Sequence, residues 1–198
     1  MTQPTGAGPR ARCWWASPTA GDPLMTAYHD EEWGVPVHDD IELFERLALE
    51  SFQAGLSWRT ILAKREAFRR AFAGFEPSAV AEFGDDDVAR LMADAGIVRN
   101  RAKIEATIGN ARAFLALGRE AGDFASYLDG FVPPPPMRLA HDVAGPGAIP
   151  VTTPAAEAVS KDLRARGFRF VGPTIVYAFL QSVGRVDDHL PGCFRYRG

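Results

Sequence analysis

Two cysteines and two of the four histidines have spacings that suit a metal. His189 and Cys193 stand four residues apart across Pro191 and Gly192, which favours a tight turn with both side chains inward. Cys13 and His29 lie far upstream, within reach of one another. Thiolate and imidazole are zinc ligands, and a Cys₂His₂ set fills all four tetrahedral positions. Such a metal has no open position for an activated water, so its role would be structural. By residue type alone other readings stay open: a cysteine can serve as a small buried hydrophobe, and a histidine as a satisfied core residue. His38 and His141 read as surface histidines.

Glu50 is the second candidate. It ends the apolar run LALE, with Phe52 and Trp58 following and Trp14, Trp15 and Tyr28 upstream. A carboxylate among aromatic rings can read the polar edge of a base while the rings stack on its faces. Helical periodicity alone leaves Glu50 as a solvent-facing residue. A third candidate is GFRFVG (Gly167–Gly172), between two helical segments. Glycines let the backbone turn tightly, and free N–H groups opening the second helix suit a phosphate. An ordinary helix pair joined by a glycine turn has the same pattern.

The elements that must position these residues are helical. Asp39–Ala54 carries an apolar stripe of Ile41, Phe44, Leu47 and Ala48, with Asp39 or Asp40 as N-cap. Ser57 caps a helix to about Ala73. Asp85–Ala95 is closed by Gly96. Asn100–Leu117 and Phe124–Phe131 follow, and the Pro133–Pro136 run is extended. His141–Thr153 reads as an irregular loop. Ala155–Arg166 and Pro173–Val183 flank the glycine hairpin. No segment alternates with period two, so the expectation is an all-α fold of about seven or eight helices and no sheet.

Composition sets the class. Apolar residues are 46% and charged residues 24% of 198, a balance suited to one globular domain. Residues 1–10, rich in Gly and Pro, read as a flexible tail before a folded 11–198. No apolar stretch is long enough to span a bilayer, and no hydrophobic run follows the first arginines, so the expectation is a cytoplasmic protein. The net charge of −3 argues weakly against nucleic acid. Three basic runs, Arg59–Arg70, Arg99–Arg112 and Lys161–Arg169, read singly as solvated helix faces, or jointly as one positive surface. No heptad seam is visible, and a monomer is expected.

The strings CWWASPTAGDPLMTAYHDEEWGVP, LALESFQAGLSW, DAGIVRNRAKIEATIGNARAF, SKDLRARGFRFVGPTIVYAFLQSVGRVDDH and HLPGC resemble the 3-methyladenine DNA glycosylase I family from about Cys13 to Cys193. That resemblance implies a helix-hairpin-helix fold and hydrolysis of the N-glycosidic bond of 3-methyladenine in double-stranded DNA. It also implies a structural zinc on Cys13, His29, His189 and Cys193. Residue by residue, Glu50 matches the carboxylate that reads the flipped base. Tyr28 and Trp58 match the aromatics of the base pocket, and Trp15 matches one at its edge. Gly55 and Leu56 match the segment that approaches the gap left by the flipped nucleotide. Gly167–Gly172, with Phe168, Phe170 and Thr174, matches the DNA-binding hairpin.

Three departures stand out: Met25 occupies a place often held by an aromatic, and Ser51 and Phe52 replace smaller or more polar residues. All three are expected to alter the pocket and its range of bases. Asp187, in VDDH, occupies the slot of the catalytic aspartate of the wider superfamily, where many type I members have Asn; helix capping beside the zinc is the alternative. No lysine sits in the nucleophile position of strand-cleaving glycosylases, so a monofunctional enzyme is expected. The competing classes are a lesion-binding protein without turnover, a glycosylase of altered base range, and a zinc hydrolase, against which the filled ligand set argues.

Overall fold

The computed structural model describes residues 10–16, 22–138, 145 and 147–197. Most of the expected tail, residues 1–9, and His141 lie outside the described residues. Among those described, nine α-helices follow in order: α1 (Pro23–Glu31), α2 (Asp40–Gln53), α3 (Trp58–Ala71), α4 (Pro77–Ala81), α5 (Asp85–Ala93), α6 (Arg101–Ala121), α7 (Phe124–Asp129), α8 (Pro154–Ala165) and α9 (Pro173–Ser182). None is long and apolar enough to cross a membrane.

Most of these helices begin on a side chain that accepts from a first-turn amide: Asp22, Asp39, Ser57, Asn100, Asp123 and Thr153. Helix α1 is not among the expected elements, because its apolar stripe is weak; its sequence signal is Asp22 followed by Pro23. Helix α6 runs four residues past the expected Leu117, to Ala121, and closes on Gly122 (φ 95°). Gly96 does not cap α5. That helix stops at Ala93, and the Asp94 carboxylate accepts from the Gly96 amide at 2.7 Å. The expectation of no sheet also needs correction. Met137–Arg138 (β1) pairs in parallel with Val186–Asp187 (β2), a two-residue ladder reached through the extended proline run.

Helix α2 is the centre of the fold. It packs against α3, α6, α7 and α9, and Leu43, Phe44, Leu47, Leu49 and Phe52 are all essentially inaccessible. The main core is phenylalanine-rich, with Phe68, Phe72, Phe75, Phe114, Phe124 and Phe179 also fully buried. A second, smaller cluster gathers Cys13, Tyr28, Trp33, Leu190 and Cys193 from both ends of the described chain, with Leu62 of α3. The N-terminal part is fastened to the end of α9 by Gly34 N–H to Gln181 O (3.0 Å) and Val37 N–H to Val183 O (3.1 Å). Gly184 (φ +69°) permits this approach: a Cβ there would stand 2.5 Å from the Pro36 nitrogen.

Candidate functional site

Between the second cluster and α2 lies a cavity of about 230 Å³, lined by Trp15, Met25, Tyr28, Trp33, Glu50, Gln53, Trp58, Ile149, Ala178 and Gln181. Sites for drug-sized ligands run from about 300 Å³ upward, so this one suits a single heterocycle. Its walls come from distant elements. Trp15 comes from the N-terminal turn, Met25 and Tyr28 from α1, Glu50 and Gln53 from α2, Trp58 from the start of α3, and Ala178 and Gln181 from α9. Tyr28 packs against Trp58 (centroids 5.3 Å apart, planes at 55°) and against Trp15 (6.4 Å).

Two polar atoms in this apolar enclosure have no hydrogen-bond partner among the described residues: Glu50 Oε2 and Trp58 Nε1. One is an acceptor when ionised, the other can only donate. A buried polar atom left unpaired costs about 1–3 kcal/mol, so a ligand with a polar edge could recover that cost at these two atoms. Burial pushes the Glu50 carboxyl up to about 8, with the Arg46 guanidinium opposing the rise. The Tyr28 hydroxyl is held above its usual range, chiefly by burial and then by Glu50.

The ligand atoms of Cys13, His29, His189 and Cys193 lie within 4.8 Å of one another, all four residues buried. Cys193 Sγ is 3.4 Å from His29 Nε2 and 3.7 Å from His189 Nδ1, and Cys13 Sγ is 3.8 Å from His189 Nδ1. Tetrahedral zinc with Zn–S of about 2.3 Å and Zn–N of about 2.0 Å imposes ligand–ligand separations of about 3.3–3.8 Å. The outer partners fix both tautomers. Asp30 Oδ1 accepts from His29 Nδ1 (2.9 Å) and the Trp33 carbonyl from His189 Nε2 (3.3 Å), which leaves Nε2 and Nδ1, respectively, as lone-pair donors. Backbone amides of Leu190 and Arg195 donate to the two sulfurs at 3.4 Å. The group can hold a metal.

The α8–α9 hairpin is held from inside the fold. Asn110 Nδ2 donates to Arg169 O (2.9 Å) and its Oδ1 accepts from Arg169 N (2.8 Å); Ser51 and Ser160 donate to the carbonyls of Phe170 and Val171. Gly167 has φ 91°, but the second left-handed residue is Phe170 (φ 55°), while Gly172 has φ −63°. Gly172 opens α9 with no side-chain cap, and Thr174 beside it is exposed. Gly167 is exposed too, but the Phe168 ring is buried near Phe124. Its side chain therefore belongs to the core, and only its backbone could meet DNA.

Other expectations change as well. Ser51 and Phe52 do not line the cavity: Ser51 faces the hairpin, and the Phe52 ring packs on Phe68 and Phe72. Of the three departures, only Met25 touches the pocket. Trp14 is half exposed and is not among the lining residues. Asp187 is not either; its carboxylate accepts from the His189 amide (3.3 Å) and from Arg138 (3.4 Å). Gly55 (φ 81°) and Leu56, 42% exposed, form the turn between α2 and α3 beside the pocket. Lys103 Nζ fixes that turn by donating to Phe52 O and Ala54 O at 2.8 and 2.6 Å. His38 is exposed, as expected. Part of the basic runs is tied up in ion pairs within the fold. Arg65 and Arg69 pair with Glu45, Arg59 with Asp22, and Arg166 with Asp162 and Glu120. Trp33, Gln53, Ile149, Ala178 and Gln181 line the pocket without being expected there; Gln181, a polar residue in an apolar helix, is the one with a usable sequence signal.

Fold and pocket together define a helical protein with a small, aromatic-lined cavity that carries a buried carboxyl. A family model described as methyladenine glycosylase matches residues 15–196. The chain is 48% identical over 187 residues to DNA-3-methyladenine glycosylase 1 of Escherichia coli (strain K12), covering 94% of this chain and 97% of that one. It is 42% identical to the DNA-3-methyladenine glycosylase of Haemophilus influenzae, over 92% of this chain and 96% of that one. A solved structure of a point variant of 3-methyladenine DNA glycosylase I in complex with 3-methyladenine superposes with a TM-score of 0.85 at 38% identity, over 91% of this chain and 96% of that one. The chain belongs to the methyladenine glycosylase family, and with it to the hydrolases of N-glycosidic bonds.

Proposed function

We propose that this enzyme removes 3-methyladenine from alkylated double-stranded DNA, hydrolysing the N-glycosidic bond of an extruded nucleotide without cutting the strand. The observation that carries the reading is the pairing of an unpartnered acceptor, Glu50 Oε2, with an unpartnered donor, Trp58 Nε1, inside one aromatic cavity. The relative solved with 3-methyladenine supports the choice of base.

An adenine alkylated at N3 while bound to deoxyribose is a cation. When the glycosidic bond breaks, the electron pair goes to the base, which leaves neutral and needs no general acid. The oxocarbenium left at the sugar is captured by water, which then loses a proton. The protein's task is therefore selection and electrostatics. Ionised Glu50 attracts the cationic base and accepts from its exocyclic amine. The faces of Tyr28, Trp58 and Trp15 add cation–π attraction of about 0.5–2 kcal/mol. Extrusion costs a few kcal/mol, less for a poorly stacked lesion. Leu56, exposed at its turn, would fill the gap, and the amides of Gly172 and Thr174 at the start of α9 would bind backbone phosphate, as in a helix-hairpin-helix clamp.

Strand cleavage through a Schiff base needs a free amine, and Lys103 is bound to two carbonyls outside the cavity. Zinc on Cys13, His29, His189 and Cys193 would be structural, joining the segment that carries Trp15 and Tyr28 to the one that follows α9. Asp187 is assigned to the turn that presents His189. In this reading residues 11–198 act as one unit and as a monomer.

Chromatography of bases released from methylated duplex, with the strands run on a denaturing gel, tests the reading. Free 3-methyladenine and intact strands are expected. Binding with no released base would make it a lesion-binding protein, and abundant 7-methylguanine would show a pocket broadened around Met25.

A further inference from the structure

Arg46 stands one helical turn before Glu50 on α2 and is 3% exposed. Its guanidinium lies 6.0 Å from the centroid of the Tyr28 ring, which lines the base pocket. Its Nη2 is held by Glu32 (2.8 Å) and Glu42 (2.7 Å), whereas Nε and Nη1 have no hydrogen-bond partner among the described residues. A buried cation paired at one corner only is costly unless something else gains from its charge.

We propose that Arg46 is a positioning residue for base recognition: its buried charge, one turn from Glu50 and against Tyr28, favours the ionised carboxylate that receives a cationic base. This rests on the reading of Glu50 given above. The groups around Glu50 leave Arg46 as the source of that bias. Tyr28 on α1 is neutral, held above its ordinary range by burial. Trp58 on α3 and Gln181 on α9 are uncharged; Gln181 donates to Asp188 behind it. Glu32 and Arg65 lie further out and pair with one another at 2.6 Å. Lys103 on α6 is the other buried cation near the end of α2, and its ammonium is committed to Phe52 O and Ala54 O; the side chains that line the pocket beside Glu50 are neutral.

Arg46→Met keeps the length and apolar stem of the side chain; Glu32 retains Arg65, and Glu42 is 41% exposed. The test uses the full chain. Carboxyl carbon NMR follows the titration of Glu50 in free wild type, Arg46→Met and Arg46→Lys, and single-turnover release of 3-methyladenine is followed across the same pH range. In Arg46→Met the Glu50 midpoint is expected to rise by about one pH unit, with release on the acid side falling about tenfold and the loss shrinking as pH rises. Arg46→Lys should restore most of both. An unmoved Glu50 titration in a folded Arg46→Met protein overturns the proposal, as does a loss of rate that is the same at every pH. A moved titration with no base release by wild type would retain the coupling and instead count against the reading of Glu50 as a base reader.

Discussion

Ser51, the residue after Glu50, shares its one hydroxyl hydrogen between the Phe170 carbonyl in the α8–α9 hairpin (3.0 Å) and Leu47 O in its own helix (2.9 Å). One helix thus carries the pocket carboxylate and, one position on, the fastening of the hairpin. Phe170 needs fastening, since its left-handed φ of 55° costs a non-glycine residue about 1–2 kcal/mol. Ser51→Ala should lower stability by about 1 kcal/mol in urea unfolding and weaken binding to undamaged duplex more than it weakens binding of free 3-methyladenine. Equal losses for both would mean that the bond does not orient the hairpin.

Glu50 should oppose function and stability to one another. Its carboxyl is raised from an ordinary 4.5 to about 8. Between those values the folded protein keeps a proton that the unfolded chain has released, so the group's contribution to stability falls as pH rises and is constant outside the window. Glu50→Gln is therefore expected to melt with wild type near pH 4 and above it by pH 8, the gap amounting to a few kcal/mol at about 1.4 kcal/mol per unit. Parallel stability curves for the two proteins would show that Glu50 ionises freely in the fold.

Metal removal should act on the fold first. With both thiols and both imidazoles buried, stripping the metal leaves like-charged or unpaired groups in the interior. A strong chelator is expected to lower Tm by about 10 °C or more, at about 2–4 °C per kcal/mol for a chain of this size, with activity lost in step with the folded fraction. A chelated protein that kept its Tm and lost turnover at once would point to a metal in the chemistry.

Gly184→Ala should be among the most damaging conservative changes. The added methyl would sit 2.5 Å from the Pro36 nitrogen and the Val35 carbonyl carbon, at a φ of +69°. A loss of about 3 kcal/mol or more is expected, read as a shift in the urea midpoint. It would also separate Gly34 from Gln181, a pocket residue.

Much of this was legible in the residues. Asp39, Ser57, Asn100 and Thr153 announce helices because a short polar side chain before an amphipathic run has one good use there. The four metal-site residues and Glu50 were legible as residue types out of place in their surroundings. Direction and depth were not. Ser51 and Phe52 follow Glu50 in sequence, yet each successive helical residue turns by about 100°, so one reaches the hairpin and the other the phenylalanine core. Phe168 looks like an exposed aromatic in a basic loop until Phe124 is placed against it. The pocket's far wall, Ala178 and Gln181, is set by the packing of α9 on α2, a long-range contact that no local pattern encodes.

The most direct test of the central claim is single-turnover release of 3-methyladenine from methylated duplex by wild type and by Glu50→Gln, at a pH near 8. Removing the charge while keeping the shape is expected to slow release on the order of 10²-fold, with the variant still folded and still binding duplex. Equal rates for the two proteins would contradict the assignment of the Glu50 pocket as the place where the cationic base is read.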